Sequence, residues 1–139
     1  MVKNSFFLFQ LLLVLALVGC GNNASLKGKV LFSDDKSPVP TGTVCFEKDN
    51  FLARGILKPD GTYVVSSLKQ GDGLPPGTYR VYISDADKPI GEDSGGTTIY
   101  ESLIDEKFAN VNTSGITIDV TPSTKSFEFE VDRYVRKKR

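Results

Sequence analysis

The side chains able to do chemistry in this chain are few, and one type is missing altogether: among 139 residues there is no histidine. Without an imidazole, Ser-His-Asp and Cys-His mechanisms and histidine-ligated zinc are excluded. Cys20 and Cys45 are the two thiols. Cys45 has no neighbouring base to lower its pKa and reads as a packed cysteine rather than a nucleophile. Asp85, Asp87, Glu92 and Asp93 crowd one polar stretch and could gather around a calcium ion. Their spacing is not that of the EF-hand loop, and an exposed acidic loop is the plainer reading. Asp72, within the run QGDGLPPG, reads as a residue that holds its own loop through side-chain to backbone bonds. Tyr82 and Tyr100 are candidates for an aromatic platform under a sugar ring, with cross-strand packing as the alternative. Paired carboxylates could in principle hydrolyse glycosides, but a small, filled domain offers little pocket for it. The expectation is a protein without catalytic residues, resident metal or cofactor.

Cys20 has a different context. Lys3 precedes an apolar run, Phe6–Leu17, interrupted only by Gln10. That length suits the hydrophobic part of a secretory leader and falls short of a membrane-spanning helix. The run ends Leu17-Val18-Gly19-Cys20, followed by polar Gly21-Asn22-Asn23. These four residues resemble the lipobox of bacterial lipoproteins. The resemblance implies that the Cys20 sulfur is diacylglycerated, that the chain is cut between Gly19 and Cys20, and that Cys20 becomes the first mature residue. Each buried CH₂ contributes roughly 0.8 kcal/mol, so two or three acyl chains hold a protein on a membrane stably. Gly21 rather than Asp at the second mature position implies the outer membrane in a Gram-negative cell. In a Gram-positive cell the expected place is the outer face of the single membrane.

Removal of residues 1–19 deletes one charge, Lys3, so 16 cations face 17 anions where the full chain has 17 of each. Neither balance suits a nucleic-acid binder. With Cys20 acylated, Cys45 has no partner for a disulfide, and the domain must stand on packing.

The rest of the chain must supply the elements that carry these groups. Gly21–Ser25 reads as a polar tether. Leu26–Phe32, Thr43–Glu47, Tyr63–Ser67, Tyr79–Ile83, Ile116–Val120 and Phe127–Val131 alternate apolar and polar as strands do. Phe51–Leu57 is apolar on both faces, as a strand covered on both sides would be. Asp60-Gly61 and Pro75-Pro76-Gly77 open the two Gly-Thr-Tyr strands as turns, and those two strands read as a pair. Lys48-Asp49-Asn50 makes a tight connection. Asp85–Gly96 reads as a long polar loop, Thr97–Leu103 as an edge strand or irregular segment, and Asp105–Asn112 as a single helical turn or loop. Pro122-Ser123-Thr124 would fold the last two strands into a terminal hairpin. Arg133–Arg139, with five cations in seven residues, reads as a frayed basic tail, or as a patch for anionic headgroups or polymers.

The succession GKVLF, PVPTGTVCF, PDGTYVV, GDGLPPGTYRVYI, FANVNTSGITIDV and FEFEV resembles the transthyretin-like, carboxypeptidase-regulatory-like domains found as small lipoproteins in planctomycete-type bacteria. The resemblance spans most of Leu26–Val131. It implies an all-β, seven-stranded Greek-key (prealbumin-like) sandwich over residues 26–132, preceded by a signal-peptide helix, and it implies no catalytic residues. Hydroxyisourate hydrolases are similar in fold only, for they need histidines and end in Tyr-Arg-Gly-Ser, which this chain lacks. The sequence therefore leads to a non-catalytic envelope protein held on the membrane through Cys20, with a protein or polysaccharide partner. A calcium-dependent adhesion module using Asp85–Asp93 is the alternative.

Overall fold

A computed structural model describes residues 23–138. The leader, Gly19 and Cys20 lie outside the described residues. The body is all-β: strands β1 (Lys27–Phe32), β2 (Thr43–Lys48), β3 (Phe51–Ile56), β4 (Thr62–Val64), β5 (Gly77–Ser84), β6 (Asp87–Glu92), β7 (Thr98–Ser102), β8 (Ile116–Val120) and β9 (Ser126–Val131), with one 3₁₀ turn at Glu106–Ala109. They form a four-stranded sheet in the order β3-β2-β5-β8, a three-stranded sheet β4-β1-β9 and a separate β6-β7 pair.

Alternation drives the two larger sheets together. Val44 and Phe46 of β2, Tyr79, Val81 and Ile83 of β5, Val30 and Phe32 of β1 and Val131 of β9 are all buried in one cluster. Phe46 is the link between the sheets. Its ring lies 6.1 Å from that of Tyr63 on β4 and 6.4 Å from that of Phe127 on β9. Tyr63 is held by two close approaches that only glycine allows. A Cβ at Gly55 would meet Tyr63 Cδ2 at 2.7 Å, and one at Gly28 would meet the Tyr63 hydroxyl at 2.5 Å. The hydroxyl thus passes over β1 and donates to the Phe127 carbonyl of β9 at 2.6 Å. Burial pushes its pKa above the usual phenol value.

Several local expectations hold. Asp49, at φ 51°, turns β2 into β3. Asp60 Oδ1 accepts from the Thr62 amide and hydroxyl and opens β4. The helical turn forms inside Asp105–Asn112, capped by Asp105, and β7 forms inside Thr97–Leu103.

The pairings differ from expectation. The two Gly-Thr-Tyr strands, β4 and β5, lie in different sheets. The last two strands form no hairpin: β8 pairs antiparallel with β5, whereas β9 runs parallel to β1. Thr121–Lys125 is long enough to cross between sheets, and an alternating strand satisfies its apolar face equally well in either. Asp85–Gly96 is no loop, because it contributes β6, and every residue of that strand is exposed. A hairpin with no buried face carries no apolar alternation for sequence reading to detect.

The boundaries also move. Ala24, inside the expected tether, is fully buried and pairs both ways with Leu74 at 2.8 and 3.1 Å. The expected frayed tail is docked at its start. Arg133 stacks 3.7 Å from the Phe32 ring centre and reaches Asp34 Oδ2 at 2.8 Å and Asp35 Oδ2 at 2.9 Å. Tyr134 donates its amide to Leu103, and Arg136 holds Glu101 at 2.6 Å.

Candidate functional site

An open groove of about 650 Å³ lies where the edges of the two sheets meet. Alternation along β3 explains it. Ala53, Gly55 and Leu57 turn into the core, which aims Arg54, Ile56 and Lys58 outward. The outer face of β3, expected to be covered, is open, and Ile56 is 75% exposed. Residues just past β4 then stitch the sheets together: Arg54 and Ser66 exchange both backbone hydrogen bonds, at 2.9 and 2.8 Å. Val64 and Ser66 form the opposite wall, and Gln70 and Gly71 close one end. A second depression of about 430 Å³ continues over the outer face of the three-stranded sheet, past Lys27, Lys29 and Thr62, and shares Lys58 and Val64 with the first.

This face is cationic. Arg54, Lys58, Lys27 and Lys29 form no salt bridge among the described residues; Glu128 lines the second depression, and Asp60 stands near enough to Lys58 and Lys29 for their charges to help lower its pKa, after the Thr62 hydroxyl and amide. By contrast Lys36, Arg80, Lys88, Lys107, Arg133 and Arg136 all pair with carboxylates. Unpaired cations beside exposed Ile56 and Val64 suit a ligand with negative charge and some apolar surface.

The residues singled out from sequence are scattered. Asp87 and Glu92 stand at opposite ends of β6, about 17 Å apart at strand rise. Asp93 Oδ1 is occupied by the Gly95 and Thr97 amides at 2.8 and 2.9 Å, which pins the β6–β7 turn. Asp85, at φ 56°, makes the bend from β5 to β6. No group of three acids or cysteines that could hold a metal forms among the described residues. Tyr82 and Tyr100 are likewise apart. Tyr82 lies half-buried on β5 opposite Cys45, and burial first, then the Cys45 thiol, raises its pKa. Tyr100 is 62% exposed on β7 and shares a shallow recess with Tyr134 and Arg136.

Cys45 is buried, with its thiol 3.6 Å from the Thr43 carbonyl. Asp72 holds its loop. Its carboxylate accepts from the Ser67 amide and hydroxyl and from the Leu68 and Lys69 amides, at 2.6 to 3.0 Å, and the Ser67 and Lys69 amides foremost hold its pKa well below the usual carboxylate range.

Sequence reading missed the groove. Its one signal was Ile56, an apolar residue between the cations Arg54 and Lys58 on the otherwise polar face of an alternating strand. Among the described residues no helix is long and apolar enough to cross a membrane. No protein-family model, curated protein or solved structure matches the chain.

Proposed function

We propose that this chain is a lipid-anchored, non-catalytic envelope protein, held on the membrane through Cys20, whose β-domain binds an acidic segment of a protein partner in the groove between β3 and β4. Cleavage between Gly19 and Cys20 and acylation of Cys20 put the protein in the cell envelope, on the outer membrane if the cell is Gram-negative, as Gly21 implies. Three strands in one sheet and four in the other support the seven-stranded Greek-key, prealbumin-like reading, and with it the transthyretin-like resemblance.

The observation that carries the binding claim is the set of unpaired cations flanking exposed aliphatic side chains. Arg54 and Lys58 answer carboxylates, while Ile56 and Val64 offer apolar contact. A polysaccharide is the weaker fit, because sugar rings stack on aromatic faces and no aromatic side chain lines the main groove. The calcium-dependent alternative gains no support from acids that do not converge.

The anchor is tested by palmitate incorporation with a Cys20→Ala control, which must lose the label. The groove is tested by a photo-crosslinker at Ile56 in cells. Discrete protein adducts that fade with salt and vanish in an Arg54→Glu/Lys58→Glu variant are expected. Adducts no stronger than those from a crosslinker at Lys88, on β6, would remove the binding claim.

A further inference from the structure

The place where the chain leaves the folded body toward Cys20 has a consequence for orientation. Ala24 is fully buried and doubly bonded to Leu74, and Asn23 Nδ2 donates to the Asp72 carbonyl at 3.3 Å. Covalent geometry therefore puts Cys20 at most about 14 Å from Ala24. A bilayer holding Cys20 lies within that distance of Ala24, which is bonded to Leu74 where the loop at residues 66–73 ends.

That loop presents an apolar side chain that nothing in the described body covers. Leu68 is 93% exposed, the highest value among the large apolar residues described. The loop is also stiff. Besides the four bonds to the Asp72 carboxylate, the Gly71 amide donates to Ser66 Oγ at 2.7 Å, and the Asp72 amide to the Lys69 carbonyl at 3.1 Å. A loop fastened at so many points cannot tuck the leucine away.

Lysines stand at this end of the domain. Lys69 follows Leu68, and Lys27 opens β1 at the same end with its amide on the Lys125 carbonyl at 3.2 Å. None of these three lysines is in a salt bridge among the described residues. An apolar tip next to Lys69, with Lys27 and Lys125 at the same end of the β1–β9 pair and the loop's own Asp72 carboxylate taken up by four internal donors, is the pattern of a side chain that enters the interface of an anionic bilayer.

We propose that this end of the domain is a membrane-contact face: Leu68 enters the headgroup boundary of the bilayer that holds Cys20, while Lys69, Lys27 and Lys125 lie among anionic headgroups. The inference rests on the lipid anchor proposed above. It fixes which way the domain stands, since contact at two points, the acyl chains and Leu68, removes the free rotation a single tether leaves. The β6–β7 hairpin and the basic tail, at the opposite end of the β1–β9 pair, then face away from the membrane.

The test uses the lipoprotein purified from cells fed labelled palmitate and reconstituted into phosphatidylethanolamine–phosphatidylglycerol vesicles. An environment-sensitive fluorophore is attached at Leu68→Cys or, for comparison, at Lys88→Cys on β6, both in a Cys45→Ala background. The expected result is blue-shifted emission at position 68, quenched by lipid-borne nitroxides severalfold more than at position 88. A Leu68→Asp variant probed at Lys69→Cys should lose that quenching while melting at the parent temperature. Palmitate label with water-like emission at 68 overturns this inference and leaves the anchor standing. Absence of the label overturns both.

Discussion

Tyr63 joins the two sheets through contacts that depend on having no side chain at two neighbouring positions. A Cβ at Gly28 would lie 1.9 Å from the Phe127 carbonyl oxygen as well as against the Tyr63 hydroxyl, so β1 and β9 must part to admit it. Gly28→Ala is expected to cost at least the ~1–3 kcal/mol of an overpacked core, read as a lower urea midpoint at unchanged slope. Tyr63→Phe removes only the buried hydrogen bond and should cost about 1 kcal/mol. Asp72 acts differently, through charge. It is held below the usual carboxylate range, as are Asp35, by the Ser37 hydroxyl foremost, and Glu101, by Arg136. Each folded-state pKa lies below its unfolded value, so the unfolded chain binds more protons in acid. Their stabilisation is complete above the unfolded-chain values, about pH 4, and drains away as pH falls through the folded-state values. Melting between pH 7 and pH 2 should show that decline, and Asp72→Asn should melt lower at neutral pH while flattening the acid limb. An acid limb identical to the parent's would contradict the account.

The β6–β7 hairpin is where sequence reading and structure diverge most at the level of elements. Its first strand, DKPIGE, carries Pro89 and Gly91 and no alternation, and it is exposed along its whole length, so nothing in its residue types separates it from a loop. Strands with one buried face were legible, because burial leaves a period of two: β1, β2, β5, β8 and β9 all fall where alternation puts them. The groove was not legible for a related reason. A partnerless Ile56 looks in sequence like a core residue, and only coordinates reveal that nothing covers it. Because Asp85, Asp87, Glu92 and Asp93 are spread along the hairpin and its turn, millimolar calcium should leave the melting midpoint where a chelator leaves it. A rise with calcium would show that ligands converge after all.

For the molecule as a whole, local turns were readable and the partnership of strands was not, since the parallel β1–β9 ladder and the crossing of Thr121–Lys125 depend on contacts far apart in sequence. The C-terminal segment belongs to the same class. Arg133 meets Asp34 and Asp35 across 99 and 98 residues, and no composition argument could have docked it. Deleting residues 133–139 should lower the melting midpoint by several degrees, through loss of the cover over Phe32 and the ties to Leu103 and Glu101. Deleting only residues 137–139, of which Lys137 and Lys138 form no salt bridge among the described residues, should leave it unchanged. The parallel ladder also sets how the domain bears load. A pull between Asn23 and Arg136 drags β1 and β9 past one another along their length, so six facing residue pairs, Lys27 with Ser126 through Phe32 with Val131, resist together. A pull between Asp87 and Ser102 opens its ladder one rung at a time. In single-molecule stretching the first geometry should rupture at several times the force of the second.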